Sequence, residues 1–307
     1  MEKELVFEEL YEAYNLCLKN KKRKMGTFNF VNADLCKNLL ELLDELNTRQ
    51  YVPRQSNCYV ITDPALREIY AAQFGDRVVQ HFYMKEIEDI LEKELVDGCC
   101  SCRKGKGNDY ALRLLKKYLI ETSKNGTKNC YFLKIDLSGY FMSIGNLTSQ
   151  AGSNLNLSDF DNYVTNKLKL TKYIRYVDDI VIISENKNKL INSLPHIIEK
   201  LKESNQTINM KKTRIDTAYY GVPFLGKVSY PYGYQKAKKT TIIRTYQRAK
   251  EIQYTDVNNL LAKVNSQIGV LKRYNCRRLI ANYAKTIHTK TQKLIVFDDK
   301  ELKFNIK

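Results

Sequence analysis

Long apolar runs are missing from this sequence, and so is the apolar core of a signal peptide. No stretch approaches the roughly 20 apolar residues that a helix needs to cross a bilayer. The chain starts with MEKELVFEELYEAY, which is charged throughout. Because 43% of the residues are hydrophobic and 28% are charged, the composition is that of a globular chain. We therefore expect a cytoplasmic protein with no membrane partner.

Histidine is scarce, and paired cysteine motifs are absent. The three histidines are scattered at His81, His196 and His288, and only one CxxC spacing occurs, from Cys99 to Cys102. A structural zinc site commonly needs four such ligands in two close pairs, so zinc is not expected. The eight cysteines of a cytosolic chain are instead expected to be reduced structural thiols.

Acidic residues are strongly outnumbered. There are 34 Asp and Glu against 51 Lys and Arg, a formal net charge of +17, and the excess is spread over several clusters. Such a field attracts a polyanion, and the 22 tyrosines supply flat faces on which bases could stack. Nucleic-acid binding is therefore favoured over a merely soluble basic protein.

The order of patterns predicts an α+β protein with a small central sheet and helical lobes. Residues 1–50 contain two helical patterns, and Asn32 or Asp34 is placed as the N-cap of the second. An extended segment over residues 51–63 precedes a long amphipathic stretch with a break at Gly75. The later predictions are a helix over Tyr110–Ser123, a strand in YFLKIDL, two strands in KYIRYVDDIVIIS, a helix at about 190–204, a hairpin in AYYGVPFLGKVSY, and helices from about residue 240.

An acidic pair, Asp178 and Asp179, lies between two strongly apolar strands. Burying it would be costly unless it lies at a hairpin turn or is neutralised by a cation. The turn alone is the simpler explanation. However, Asp136 lies on another predicted buried strand. Three such carboxylates form the oxygen ligand set that Mg²⁺ prefers.

YVDD within a hairpin, with an upstream Asp on a hydrophobic strand, resembles the palm active site of reverse transcriptases. The resemblance extends over residues from about 50 to 230, because further blocks occur in the order of that family's motifs. The blocks are RQYVPRQ, DPALREIYAAQFGDRVVQHF, CRKGKGNDYA, FLKIDLSGYFMSI, IGNLTSQ, YVDD, NMKKT and FLG.

This resemblance implies an RNA-directed DNA polymerase with fingers, palm and thumb. We expect fingers with N-terminal helices over residues 1–130, a palm over residues 131–235 and a helical thumb over residues 236–307. By resemblance Asp136 and Asp178 bind two Mg²⁺ ions, Asp179 helps to position them, and Leu137 belongs to the same metal-binding set. Mn²⁺ is expected to substitute for Mg²⁺.

Four residues match family positions that contact the incoming dNTP. Arg67 matches an arginine that holds the triphosphate, Phe141 an aromatic gate against the ribose 2′-hydroxyl, Gln150 a residue beside the nascent base pair, and Lys212 a lysine near the pyrophosphate. Without the motifs they would be a surface Arg, a core aromatic, a surface amide and a solvated Lys.

Two further groups are expected to contact the template RNA and the cDNA primer or product. The first is the basic glycine loop with Arg103, Lys104 and Lys106, whose glycines permit close approach to phosphates. It is not a Walker loop, because its glycine spacing and its ending do not fit. The second is the block Phe224, Leu225 and Gly226.

IGNLTSQ and the ending VNSQIGVLKRYNCRRL resemble reverse transcriptases of diversity-generating retroelements, which use a small basic accessory protein. In relatives several dozen residues separate the first Asp strand from the IGNLTSQ block, whereas here FMSI runs directly into it. The palm is therefore shortened. Two alternatives remain open: a phage-defence or retron-like reverse transcriptase, and a catalytically impaired RNA-binding scaffold.

Overall fold

The computed structural model describes residues 4–18, 25–62, 67–138, 140, 146–251, 256–272, 277–291 and 294–306. These ranges contain ten α-helices and twelve strands. The strands form one larger sheet and three small ones. The predicted α+β class is confirmed. No helix in these ranges is long and apolar enough to cross a membrane.

The N-terminal part packs three helices around a common apolar core. These are α1 (Phe7–Leu18), α2 (Met25–Asn47) and α3 (Phe74–Glu94). The backbone of Asp34 is extended, and its Oδ1 accepts a hydrogen bond from Lys37 N at 3.0 Å, so the predicted N-cap at Asp34 is confirmed. The predicted break is present but lies at Ala72 and Gln73, between β2 (Arg67–Ala71) and α3, and not at Gly75. Gly75 lies in the first turn of α3, where a Cβ would come within 3.3 Å of Phe30.

A two-stranded hairpin precedes α3; its first strand lies in the segment over residues 51–63 that was predicted to be extended, and its second strand lies where the amphipathic stretch was predicted. It consists of β1 (Asn57–Ile61) and β2 (Arg67–Ala71), paired antiparallel with Asn57 opposite Ala71. All five residues of β1 are exposed. Because the hairpin has no apolar face against the core, its strands lack the burial pattern that would have distinguished them from a helix.

The central sheet has the order β4-β5-β3, and β6 and β7 both pair with the other edge of β3. It contains β3 (Tyr131–Ser138), β4 (Tyr173–Tyr176), β5 (Asp179–Ser184), β6 (Thr207–Ile208) and β7 (Arg214–Thr217), all antiparallel. The strands and the hairpin predicted here are confirmed.

Apolar cores cover both faces of this sheet. One face packs against α4 (Asn108–Ser123), and the other packs against α6 (Ser158–Asn162) and α7 (Lys187–Glu203). This explains the continuous apolar run Ile180–Ile183, since a strand covered on both faces needs no polar alternation. A further helix, α5 (Leu147–Asn156), precedes α6, and one π-helical turn over Tyr163–Lys167 follows it.

The C-terminal part starts with a three-stranded sheet and continues with helices. The strands are β8 (Val222–Phe224), β9 (Lys227–Ser229) and β10 (Gln235–Ala237), and the helices are α8 (Lys239–Glu251), α9 (Val257–Lys272) and α10 (Arg277–Thr291). The predicted hairpin and helices are confirmed. A final hairpin, β11 (Ile295–Asp298) with β12 (Lys303–Ile306), was not predicted; its Phe304 is buried against the helices.

Candidate active site

The backbone register brings the three predicted carboxylates together at one end of the central sheet. Asp136 lies opposite Asp179 in the β3–β5 pair, and Tyr176 lies opposite Asp179 in the β4–β5 hairpin. Asp178 therefore lies in the two-residue turn of that hairpin. The amide of Leu137 donates a hydrogen bond to the carbonyl oxygen of Asp178 at 3.1 Å, which ties the turn to β3.

The turn itself is strained. Val177 has a φ of 57°, in the left-handed region that β-branched residues rarely adopt. Such a conformation costs on the order of 1–3 kcal/mol and persists only when the surroundings enforce it. Here the amide of Val177 donates to Oγ of Ser101 at 3.2 Å. The side chain of a neighbouring segment therefore helps to hold Val177 in this conformation.

Two lysines contact the carboxylates. Nζ of Lys212 donates to both carboxylate oxygens of Asp136, at 3.0 and 3.2 Å, and this contact raises the pKa of Lys212. Nζ of Lys134 lies 3.0 Å from Oδ1 of Asp179, an ion pair by distance. That oxygen is buried and forms no hydrogen bond within the described part of the chain. A buried carboxylate oxygen in this condition favours a cationic ligand.

Burial raises the pKa of the Asp178 carboxyl, and the neighbouring carboxylates of Asp179 and Asp136 raise it further. A cation at this end of the sheet would relieve both effects, so the hard oxygen donors fit Mg²⁺. However, within the described ranges no three His, Cys, Asp or Glu side chains lie close enough to share a metal ion. The predicted metal ligands are therefore adjacent by register but do not form a closed cluster.

A buried polar network lies behind the turn. Arg175 and Asp161 are both fully buried, and Nη2 of Arg175 lies 2.7 Å from Oδ2 of Asp161. Arg175 also donates to Oδ1 of Asn154 at 3.2 Å, and Tyr173 donates its hydroxyl to Asp161 at 2.5 Å. Oδ1 of Asn154 in turn accepts from Oγ of Ser101. The network thus connects α5, α6 and β4 to the residue that bonds Val177.

This network was missed by sequence reasoning. Arg175 was visible as a lone cation within an apolar strand, and that was the only signal available. A buried Arg needs a carboxylate partner, but Asp161 lies in a segment that no motif identified.

The segment Gly98–Ser101 brings Ser101 to the turn because it runs along β4. Amide–carbonyl bonds of 2.9 Å join Arg175 N to Gly98 O and Cys100 N to Arg175 O. A Cβ on Gly98 would lie 2.1 Å from the carbonyl oxygen of Tyr173, so only glycine fits there.

We expect Gly98→Ala to lower the free energy of unfolding by at least about 1–3 kcal/mol, the usual cost of overpacking a closed site. Gly152→Ala is the matched control, because a Cβ there meets nothing within 4 Å. Gly152 lies inside α5, so alanine should stabilise by about 0.5–1 kcal/mol. Urea unfolding of both variants measures the difference. Equal stabilities would show that the segment can move away from β4.

The structure describes only part of the predicted dNTP-binding set. Arg67 starts β2 opposite Ile61, and nothing is described of its side chain. Phe141 lies outside the described residues. Gln150 is half-buried on α5, and Lys212 contacts Asp136 as given above. Among the described side chains of the set, Lys212 is the one that contacts a carboxylate predicted to be catalytic.

Two of the three cations predicted to bind phosphates in the basic loop are paired with carboxylates of this chain, and the predicted phosphate contact of all three stays a prediction. Arg103 is largely buried; its Nε donates to Glu92 at 2.9 Å and its Nη1 donates to the carbonyl oxygens of Val96 and Cys99. Lys106 donates to Asp97 at 2.8 Å. These contacts lower the pKa of the Glu92 and Asp97 carboxyls. Only Lys104 is exposed for a phosphate contact.

We therefore expect the loop cations to differ in effect. Arg103→Ala should lower the free energy of unfolding by about 1–3 kcal/mol, because it removes the hydrogen bond to the carbonyl oxygen of buried Cys99 and the ion pair with Glu92. Lys104→Ala should leave stability unchanged and reduce the slope of log affinity for single-stranded RNA against log salt by about 0.7. Unfolding and salt titrations check both. Loss of RNA affinity without loss of stability in Arg103→Ala would return Arg103 to the phosphate-binding set.

The Phe224, Leu225 and Gly226 block forms the turn between β8 and β9. Leu225 and Gly226 have φ values of 44° and 79°, as a two-residue hairpin turn with right-handed twist requires. Phe224 is buried in the core between α4 and the sheet. The contact of this block with the primer or template stays a prediction, and the buried ring of Phe224 leaves Leu225 and Gly226 as its more accessible residues.

The predicted structural thiols lie partly beside the network. Cys99 and Cys100 are buried, Cys102 is exposed, and burial raises the pKa of all three thiols. Sγ of Cys99 lies 3.3 Å from Nη2 of Arg175. The raised pKa keeps Cys99 and Cys100 in the thiol form, which suits a structural role.

A family model described as reverse transcriptase (RNA-dependent DNA polymerase) matches residues 142–229, less than a third of the chain. No curated protein matches the sequence. Among solved structures, a Candida albicans telomerase in complex with a fragment of telomeric RNA covers 79% of this chain at 8% identity, with a TM-score of 0.45. An apo telomerase from Candida tropicalis covers 66% at 12% identity, with a TM-score of 0.40.

This chain covers 61% and 60% of those two telomerase chains. The family match is the more specific finding, because it includes Asp178, Asp179 and Lys212 together with the β8–β9 turn. The segment over residues 142–229 is therefore similar to reverse transcriptases, the enzyme class that the sequence motifs predicted.

Proposed function

We propose that this protein is an RNA-directed DNA polymerase that copies a template RNA into cDNA from dNTPs. One observation carries the proposal. Asp136 lies opposite Asp179 and beside the strained turn that holds Asp178, and the turn belongs to the segment that matches reverse transcriptases. The net charge of +17 supports a nucleic-acid substrate.

The domain roles are part of the same proposal. Residues 1–130 would act as fingers, residues 131–235 as the palm and residues 236–307 as the thumb. The central sheet with its carboxylates falls within the middle range, and α8 to α10 fall within the last. The exposed β1–β2 hairpin falls within the first range and carries Arg67, which would hold the triphosphate.

Asp136, Asp178 and Asp179 would hold Mg²⁺, which when bound supplies a lowered pKa at the primer 3′-hydroxyl and charge against the departing pyrophosphate. Lys212 is about two-thirds exposed although it contacts Asp136. An exposed lysine can leave that carboxylate and approach a phosphate oxygen at little cost. Gln150 and Phe141 would contact the nascent base pair and the sugar, as their motifs imply.

The biological setting that we propose is a diversity-generating retroelement with a small basic accessory protein. The support is the resemblance of the IGNLTSQ block and of the segment VNSQIGVLKRYNCRRL described above. Misincorporation opposite template adenine is the expected signature. Accurate copying of all four template bases would favour a phage-defence or retron-like enzyme.

A catalytically impaired RNA-binding scaffold is the second candidate. It is favoured by the contacts of Lys212 and Lys134 with Asp136 and Asp179, and by the lack of a three-residue metal cluster in the described ranges. The two lysines would then neutralise the carboxylates permanently.

Primer extension separates these proposals. The purified chain is incubated with a DNA primer annealed to RNA, all four dNTPs and Mg²⁺, and EDTA replaces Mg²⁺ in the control. Extension that occurs with Mg²⁺ and stops when EDTA replaces it supports the polymerase proposal. Tight RNA binding without extension in Mg²⁺ or Mn²⁺ supports the scaffold.

A further inference from the structure

An open groove with a volume of about 690 Å³ lies between the β8–β9–β10 sheet, β7 and the start of α8. Its cations are Arg214, Lys236, Lys238 and Lys239, and its aromatic rings are Tyr220 and Tyr230. We call these six residues the tyrosine-lysine groove. No Asp or Glu is among the described residues that line it. The groove thus combines concentrated positive charge with ring faces.

The exposed rings at this groove belong to Tyr220 and its neighbour Tyr219, whereas the ring of Tyr230 is buried and covered by Tyr232 and Lys236. Tyr220 is 75% exposed, and Tyr219 beside it is also exposed, with the two ring centroids 5.5 Å apart. Tyr230 stacks on Tyr232 at 5.5 Å with an interplanar angle of 23°, and Tyr232 is itself exposed. Lys236 lies 5.1 Å above the ring of Tyr230. Exposed tyrosines next to several lysines are unusual as packing and typical of base-stacking surfaces.

The groove is continuous with the candidate active site. Lys134 Nζ lies 3.4 Å from the carbonyl oxygen of Pro223, which lines the groove, and 3.0 Å from Asp179. Arg214 lies opposite Lys134 in the β3–β7 pair. The groove adjoins the β8–β9 turn, because the amide of Lys238 donates to the carbonyl oxygen of Gly226 at 2.9 Å, but Gly221 and Tyr230 lie at the open end of that hairpin.

We infer that the tyrosine-lysine groove binds single-stranded nucleic acid, with unpaired bases stacked on Tyr220 and its neighbours and phosphates held by Lys236 and Lys238. Four cations without a carboxylate select a polyanion, and exposed ring faces select bases that are free of a duplex. A duplex offers its phosphates but not its base faces. This site goes beyond the proposed polymerase function, because it needs neither metal nor nucleotide.

The test is fluorescence anisotropy with a fluorescein-labelled single-stranded RNA of about twelve nucleotides, within the site sizes of such surfaces. EDTA is present and dNTPs are absent, so the result does not depend on catalysis. Tyr220→Ala should weaken binding by roughly tenfold, the effect of losing one stacked base. Tyr220→Phe keeps the ring and should retain the affinity of the unmodified protein.

The cations are tested by a double variant. Lys236→Gln with Lys238→Gln should reduce the slope of log affinity against log salt by about 1.4, since each phosphate contact with a single strand contributes about 0.7. The charge-matched control is Lys187→Gln with Lys202→Gln on α7. This helix packs on the face of the central sheet opposite to α4 and β8. Tyr83→Ala, an exposed tyrosine on α3, is the control for the ring.

Three results would overturn the inference. They are unchanged RNA affinity in Tyr220→Ala, equal affinity for an abasic strand of the same length, and an equal loss of affinity for duplex and single strand in the lysine double variant. The last two would indicate a surface that binds phosphates only. If the unmodified protein fails in primer extension but binds RNA through Tyr220, the polymerase proposal fails and the groove assignment stands.

Discussion

Asp178→Asn is expected to abolish nucleotide addition, with a loss of more than roughly 100-fold in primer extension, because even outer-shell changes at metal sites cost 10–100-fold. The substitution removes one carboxylate charge and keeps the shape of the side chain. Asp178 lies in a turn, where Asn is well tolerated, and the change reduces repulsion with Asp179 and Asp136. Affinity for annealed primer and template should therefore stay unchanged.

The matched control for this variant is Asp216→Asn on β7 of the same sheet. It changes the net charge equally but lies away from the turn, so extension should continue at the rate of the unmodified protein. Normal extension by Asp178→Asn would remove Asp178 from the catalytic set. Loss of primer-template binding in Asp178→Asn would show that the turn has a structural role instead.

Arg175→Met is expected to lower the free energy of unfolding by about 3–5 kcal/mol, because it leaves the fully buried Asp161 carboxylate without its cation. The variant also removes the bond from Arg175 to Asn154 and so loosens Ser101 and the Val177 turn. Urea unfolding measures the stability. Adding Asp161→Leu to Arg175→Met should recover most of the loss, since a buried ion pair replaced by apolar groups is often neutral.

The exposed pair of Lys117 and Glu121 on α4 is the control for the stability loss expected in Arg175→Met. Nζ of Lys117 lies 3.9 Å from Oε1 of Glu121, and both side chains are about half exposed or more. Lys117→Ala should therefore lower the free energy of unfolding by less than about 1 kcal/mol. A similar, small effect of Arg175→Met would show that water or a shifted side chain satisfies Asp161. In that case the network could not be what holds the strained turn.

Elements with strong local patterns were predictable from the sequence. Apolar runs on both sides of Asp178 and Asp179 predicted the β4–β5 hairpin, and the motif order predicted that Asp136 would lie near it. The β8–β9 turn was predictable as a hairpin because Gly226 supplies a positive φ. In each of these cases the information lies within a few residues of the element.

Features that depend on distant partners were not predictable. Arg103 looked like an exposed loop cation, but Glu92 lies eleven positions earlier along the chain and neutralises it. Phe224 fitted a motif, yet its ring fills a core built from α4 and β3. Arg175 meets Asp161 only because α6 packs against the sheet. A single sequence gives the charge of such residues and not their partner.

The sequence of the reaction product tests the central proposal most directly. The purified chain is given a heteropolymeric RNA, an annealed DNA primer, dNTPs and Mg²⁺, and the extended strand is sequenced. The polymerase proposal predicts DNA complementary to the RNA, formed only with Mg²⁺ or Mn²⁺ and missing with Asp178→Asn. No extension under any metal condition, or added nucleotides unrelated to the template, would contradict RNA-directed DNA synthesis by this protein.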